Sequence, residues 1–295
     1  MTTSQKILLV GATGYLGMHI IRQLQDQNQN FVALARNKKK LESIGVPGAQ
    51  IVEAQVTDPS QLNGICNGVD VVISCLGITR QQDGLGYMDV DYQANLNVLK
   101  EAESAGVKRF IYISAFKAQD YPQVRLLSAK EKFSARLLRS KHLSPCVVRP
   151  NGFFADLEEF YRMAEKGKIY QFGHGAVRLN PISGEDLAEF CLNIIKLEQN
   201  EYDIGGPEIL SINQLAQLAF QAQKKPCSIV SVPDVFRRTL LWLFAKLPEK
   251  WVGPPEFFLT MLGNDAIAPR YGDQRIGDHF LACYQRRVVE SVVNK

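Results

Sequence analysis

The stretch Val10–Gly17, VGATGYLG, constrains this chain more than any other. It follows the short β-rich run Lys6–Val10 (KILLV) and leads into Tyr15–Asp26, where apolar residues recur at helical spacing. Glycines at 11, 14 and 17, set between a strand and a helix, each have a reason to be there. Gly11 permits a tight turn. Gly14 lets backbone approach an anion at the helix N-terminus, where free N–H groups and the helix dipole favour negative charge. Gly17 lets the helix lie close to the strand. A tight turn without a ligand is the plain alternative, but a second strand, Phe31–Ala35 (FVALA), follows where a dinucleotide-binding unit needs one.

The same alternation continues downstream. Gln50–Ala54, Val69–Ser74, Arg109–Ser114 and Cys146–Arg149 read as strands, and Val90–Ala105 and Ser128–Lys141 as helices between them. Strands alternating with helices predict an α/β fold of the Rossmann type, a doubly wound parallel sheet. After Pro150 the rhythm changes. Gly152–Lys168, a helix from near Ser183 within Pro181–Lys196, and Ser211–Ala222 all read as helical, with acidic Glu185 and Asp186 opening the second and Ser211 capping the third. The expected organisation is therefore a nucleotide-binding domain over 1–150, with a strand and helix returning to it from 176–200. A smaller, mostly helical substrate-binding or lid subdomain is expected over 151–295.

Composition narrows the function classes. With 295 residues, 46% of them hydrophobic, the chain can bury a large core. A net charge of +4 is too small to argue for nucleic acid, though it suits a phosphorylated ligand. The six cysteines are scattered, with no CxxC and no Cys/His cluster of metal spacing, so no metal is expected and a reduced cytoplasmic protein is the simple reading. The N-terminus shows no signal-peptide pattern, and no apolar run is long enough to span a bilayer.

The second strand continues as ALARNKKK. An NAD-selective sheet places an acidic residue at this strand's end, to bind the ribose hydroxyls. Here Arg36 stands there, able to pair with a 2′-phosphate, and Lys38 to Lys40 add positive potential. NADP(H) is the cofactor this favours; a solvated basic turn is the alternative. Further on, LLSAKEK places Leu126 one helical turn before Lys130.

VGATGYLG, ALAR, SCLG at 74–77 and AGVKRFIYIS at 105–114 together resemble an atypical short-chain dehydrogenase/reductase, the group that includes isoflavone-reductase-like enzymes and NmrA-type regulators. SAKEKFSARLL, VVRPNGFF, FGHGAVRLNPISGEDLAEF, YDIGGPEILS and APRYGD are similar to the divinyl chlorophyllide 8-vinyl reductase branch, so the resemblance covers roughly residues 6–280. It implies that Gly11, Thr13, Gly14, Tyr15 and Leu16 wrap the pyrophosphate and that Arg36 holds the 2′-phosphate. Val56 would lie by the adenine, in a chain that has Gln55 where relatives often carry Asp. Cys75, Leu76 and Gly77 would line the cofactor, Ser114 and Ala115 would end a strand beside the nicotinamide, and Pro150, Asn151 and Phe153 would flank its ring.

Most short-chain reductases pair Tyr with Lys at i and i+4, on one helix face, so that the lysine charge lowers the tyrosine pKa. Leu126 occupies the Tyr position here, and the usual serine position reads as Ala115. Standard ketone chemistry is therefore not expected. Lys130 is left as a clamp on the nicotinamide ribose, as a proton donor if burial brings its titration near neutrality, or as a solvated lysine. Tyr87, Tyr121 and His174 are other candidate acids.

Two functions follow. One is an NADPH-dependent reductase passing hydride to a hydrophobic, conjugated small molecule. The other is a non-catalytic NAD(P)-binding redox sensor or assembly factor. The amphipathic segment Val235–Leu247 (VFRRTLLWLFAKL) is expected to cover the pocket or join the core, with an oligomer face or membrane-surface contact as lesser alternatives. Trp242, Phe244, Trp251, Phe257 and Phe258 suit either a bulky apolar substrate or plain packing. A monomer and a homodimer are both compatible with the sequence.

Overall fold

A computed structural model describes residues 5–78 and 84–293, with side chains to residue 289. In chain order the first elements are β1 (Ile7–Val10), α1 (Tyr15–Asp26), β2 (Phe31–Ala35), α2 (Lys38–Glu42), β3 (Ile51–Glu53) and β4 (Val71–Ser74). Then come α3 (Asn95–Ser104), β5 (Arg109–Ile113), α4 (Arg125–Leu138), β6 (Ser144–Pro150), α5 (Phe154–Glu165), β7 (Ile169–Phe172), β8 (Arg178–Leu179) and α6 (Gly184–Asn193). The chain continues through β9 (Glu201–Ile204), β10 (Leu210–Ser211), α7 (Ile212–Ala222), β11 (Ile229–Val232), α8 (Asp234–Phe244), α9 (Glu249–Met261) and α10 (Ile276–Val293).

Seven strands form one sheet in the order β3-β2-β1-β4-β5-β6-β9, with parallel pairing from β3 through β6. The apolar run ILLV is buried along its whole length, as a central parallel strand covered on both faces must be. The strand order reverses between β1 and β4. The crevice beyond the carboxyl ends of those two strands is where open α/β sheets bind ligands.

The chain forms two compact units. The first comprises Met1–Arg149, Leu187–Tyr202 and Glu249–Pro254; the second comprises Pro150–Asp186, Asp203–Pro248 and Pro255–Lys295. Within the first, Leu8, Val10, Val72, Phe110, Tyr112 and Phe133 belong to one buried cluster. The second has its own core, in which Phe160, Tyr161, Leu215, Phe220 and Phe280 join α5, α7 and α10.

Several element bounds and roles differ from the sequence reading. The helix expected in 176–200 is α6, but the strand that joins the large sheet is β9, just beyond that range. Arg178–Leu179 pairs instead with Leu210–Ser211. The second unit is also less purely helical than expected: β7 and β11 pair in parallel as a second small sheet. Helix α4 begins at Arg125, three residues early, so Leu126 lies within it. The helix over 90–105 opens with π-helical turns at Met88–Ala94, a form that often marks functional sites.

Val235–Leu247 carries most of its apolar residues on an exposed face. Arg237 is the buried residue of α8, while Val235, Phe236, Leu240, Trp242, Leu243 and Leu247 are exposed. Apolar periodicity reads the same whether the stripe faces inward or outward, and here a buried arginine ion-paired to Asp234 holds the inward side. Ser211 does cap α7, with a reciprocal bond from Gln214.

Candidate cofactor site

A cleft of about 330 Å³ opens at the carboxyl ends of β1 to β4. Gly11, Thr13, Gly14, Arg36, Val56, Cys75, Leu76 and Gly77, all expected at a cofactor, line it together. Gly11 holds a φ of +78°, and a Cβ there would lie 2.9 Å from the Cys75 carbonyl. A Cβ on Gly17 would lie 2.4 Å from the Gly11 carbonyl oxygen, so this glycine lets α1 sit directly on the loop. The N-cap of α1, Gly14, offers no side-chain acceptor, which leaves the first-turn N–H groups available to an anion. Leu16 is 4% exposed, so it could contribute only its backbone N–H. Tyr15 packs edge-on against His19.

Sequence reasoning did not place Leu34, Ala35, Ala54, Thr57, Ile78, Leu85 and Val90 in this lining. The first four follow from lying at or just past the ends of β2 and β3. Arg36 and Lys40 both line the cleft, and no Asp or Glu does so among the described residues. Lys40 Nζ donates to the Thr13 carbonyl at 2.7 Å, tying α2 to the glycine loop and bringing a second cation beside Arg36. The helix N-terminus without a side-chain cap, the glycine cradle and these two cations fit a phosphorylated dinucleotide.

The loop after β4 is fixed from below. Ser74 Oγ donates to Asn95 Oδ1 at 2.6 Å, and Asn95 Nδ2 donates to the carbonyls of Asp91 and Leu76. Asp91 Oδ2 accepts from the Ile78 N–H at 3.3 Å, and Asp91 Oδ1 lies 3.0 Å from Lys130 Nζ. Asp91 is wholly buried and the Lys130 side chain is 13% exposed. Gly77 must be glycine here, because a Cβ would stand 2.6 Å from Asp91 Oδ1 and 2.9 Å from Lys130 Nζ. The π-helical turns project Asp91 and Asn95 under this loop. A carboxylate and an amide at i and i+4 in an otherwise apolar helical rhythm was the available sequence signal.

This changes the reading of Lys130. Burial by itself would lower its ammonium pKa, but Tyr112 and the Asp91 carboxylate outweigh that and hold it above the ordinary lysine range. The geometry thus favours the charged ammonium of Lys130 over a titration near neutrality. The lysine does not line the cleft; it sits one layer behind Gly77. Burial likewise pushes the Asp91 carboxyl up, against the pull of Lys130. Leu126 is 3% exposed and apolar, so no phenol stands one turn before the lysine.

The other expected residues are accounted for separately. Ser114 follows β5, and its hydroxyl donates to Glu131 at 2.7 Å. Glu131 also pairs with Arg149, which reaches Glu201, so Ser114 belongs to a network under the sheet's edge. Ala115 is half-buried and does not line the cleft. Burial raises the Cys75 thiol to about 12, which makes it a wall and not a nucleophile. Pro150, Asn151 and Phe153 open the second unit. There Asn151 donates to Asn180 and to the Ala266 carbonyl while accepting from the Gly152 N–H, so its polar atoms hold loops of its own unit. Phe153 bridges to Ile182.

Of the candidate acids, Tyr87 is fully buried against Gly253, Tyr121 ends a short 3-10 helix over Ala118–Asp120, and His174 is exposed in the second unit. A cluster that the sequence spacing hid also appears there. Glu158 Oε1 lies 3.0 Å from His279 Nε2, with Cys283 Sγ at 3.8–3.9 Å from both. Arg286 donates to that sulfur, which places a cation against the group.

The fold and this cleft define a dinucleotide-binding protein. A family model described as NAD(P)H-binding matches residues 11–198, and the chain belongs to that family. Among curated relatives, the photosystem II assembly factor Ycf39 of Synechocystis is 27% identical over 77% of this chain and 71% of its own. The divinyl chlorophyllide a 8-vinyl-reductase of Arabidopsis thaliana is 30% identical over 77% of this chain. The match spans only 60% of that reductase's length. Among solved structures, the Escherichia coli quinone oxidoreductase QOR2 with NADPH aligns with a TM-score of 0.70 at 18% identity, over 94% of this chain and 99% of its own. Triphenylmethane reductase of Citrobacter with NADP(H) aligns at 0.67 and 19%, over 88% and 91%. These structures establish the fold.

Proposed function

We propose that this protein is an NADPH-dependent reductase that passes hydride to a hydrophobic, conjugated small molecule. The observation that carries this reading is the cleft itself, a glycine cradle rimmed by Arg36 and Lys40 without an acidic residue and closed by an apolar wall of Leu76, Ile78, Leu85 and Val90. The two cations would take the 2′-phosphate and pyrophosphate charge, and the first-turn N–H groups of α1 would take the rest. A bound nicotinamide would supply the hydride. Lys130 and Asp91 hold Gly77 and Ile78 in place behind it. With Leu126 in the phenol position and Lys130 paired with Asp91, a carbonyl acceptor lacks its usual acid, whereas a polarised C=C bond can take its proton from water.

A second reading, a cofactor-binding sensor or assembly factor without turnover, is favoured by the same absence of a phenol and by the likeness to Ycf39. Incubation with NADPH deuterated at nicotinamide C4 separates the two. Deuterium should appear in a conjugated acceptor from a panel that includes divinyl chlorophyllide, quinones and triphenylmethane dyes. Tight NADPH binding with no transfer to the panel or to any metabolite of a cell extract would refute the reductase reading.

A further inference from the structure

Helix α8 turns its apolar side to water. Val235 and Trp242 form one outward stripe, Phe236, Leu240 and Leu243 form the stripe beside it, and Leu247 follows just past the helix end. Their exposures run from 36% to 61%. The opposite side is anchored by Arg237, which donates to Asp234 and to the Leu259 carbonyl and packs against Gly263. Two adjacent apolar stripes make a contiguous exposed apolar patch, the kind of surface that marks an interaction site.

We propose that α8 docks this protein on an anionic phospholipid surface, lying flat with its outward stripes among the acyl chains. Charge chooses this occupant. Along 234–248 the exposed charged groups without an ion pair in the same helix are Arg238 and Lys246; Asp234 is half-exposed but paired with Arg237, and Thr239 is polar and uncharged. Lys246 Nζ stands 3.5 Å over the Trp242 ring, an aromatic and cation pair suited to the headgroup boundary. A second copy of the chain fits less well, because a two-fold interface pairs this face with itself and so brings two positively charged rims together. No described helix is long and apolar enough to cross a membrane, so the contact is with its surface. The proposal does not depend on turnover.

The test is co-sedimentation of the full chain with vesicles of phosphatidylcholine alone or mixed with phosphatidylglycerol. Binding to the mixed vesicles should exceed binding to the neutral ones at least tenfold and fall as salt rises. In a Trp251→Phe background, the remaining Trp242 emission should shift to the blue on binding. The double variant Phe236→Glu/Trp242→Glu should lose at least tenfold in vesicle affinity while keeping its NADPH affinity, which shows that the fold survives. Absence of binding to the mixed vesicles would overturn the proposal, as would binding that the double variant leaves unchanged. A concentration-dependent dimer abolished by that variant, without vesicle binding, would assign the face to a second copy instead.

Discussion

Lys130→Met separates a lysine committed to Asp91 from one that reaches a cofactor. The substitution keeps the length and volume of the side chain but removes the charge 3.0 Å from a carboxylate with no exposed surface. Removing one partner of a buried ion pair costs about 3–5 kcal/mol, because the other charge is left uncompensated. The carboxyl is already pushed up by burial, so without Lys130 it takes a proton more readily still. The stability lost by the variant should therefore shrink as pH is lowered from 8 to 5. Lys130→Met/Asp91→Asn removes both charges and keeps an acceptor toward the Ile78 N–H, and it should recover all but about 1–2 kcal/mol. Urea unfolding of the wild type and both variants at two pH values measures each quantity. A single variant within about 1 kcal/mol of wild type, with NADPH affinity reduced more than tenfold, would refute the reasoning and make the cofactor the partner of Lys130.

Two further outcomes follow from the same geometry. Gly77→Ala drives a Cβ into Asp91 and Lys130 and should cost about 2–3 kcal/mol in unfolding free energy, whereas alanine at the exposed Gly84, if its positive φ were relieved, meets no neighbour. Burial holds Asp156 at about 6, up from an ordinary 3.8. The folded state thus keeps this proton longer than the unfolded one, so the contribution is complete below pH 3.8 and is lost as pH rises toward 6. At about 1.4 kcal/mol per unit, trimmed for partial exposure, the loss is about 2 kcal/mol. Asp156→Asn keeps an acceptor toward the Phe153 N–H and should raise Tm at pH 7 while leaving it unchanged near pH 3.5.

What the sequence made legible was local. The glycine spacing of VGATGYLG, the β-rich runs and the cap at Ser211 each act through neighbours a few residues away, and the strands and cleft appear where those signals put them. The partner of Lys130 was not legible in that way. Asp91 comes from another helix, and π-helical turns, which no simple periodicity announces, set the direction of its side chain. Helix α8 shows a different limit. Its apolar spacing was plain, but which side faced inward depended on Arg237 finding Asp234 and the Leu259 carbonyl. The return of β9 to the sheet edge was hidden for a third reason: EYDI has one buried residue and looks like a surface segment.

The most direct measurement is the ratio of NADPH to NADH affinity, by fluorescence titration of the wild type and of Arg36→Ala/Lys40→Ala. A 2′-phosphate held by two cations is worth about 1.5–3 kcal/mol, so the wild type should bind NADPH at least tenfold more tightly, and the double variant should bring the two affinities close together. Equal affinities in the wild type, or a preference for NADPH that survives loss of both cations, would contradict the assignment of this cleft.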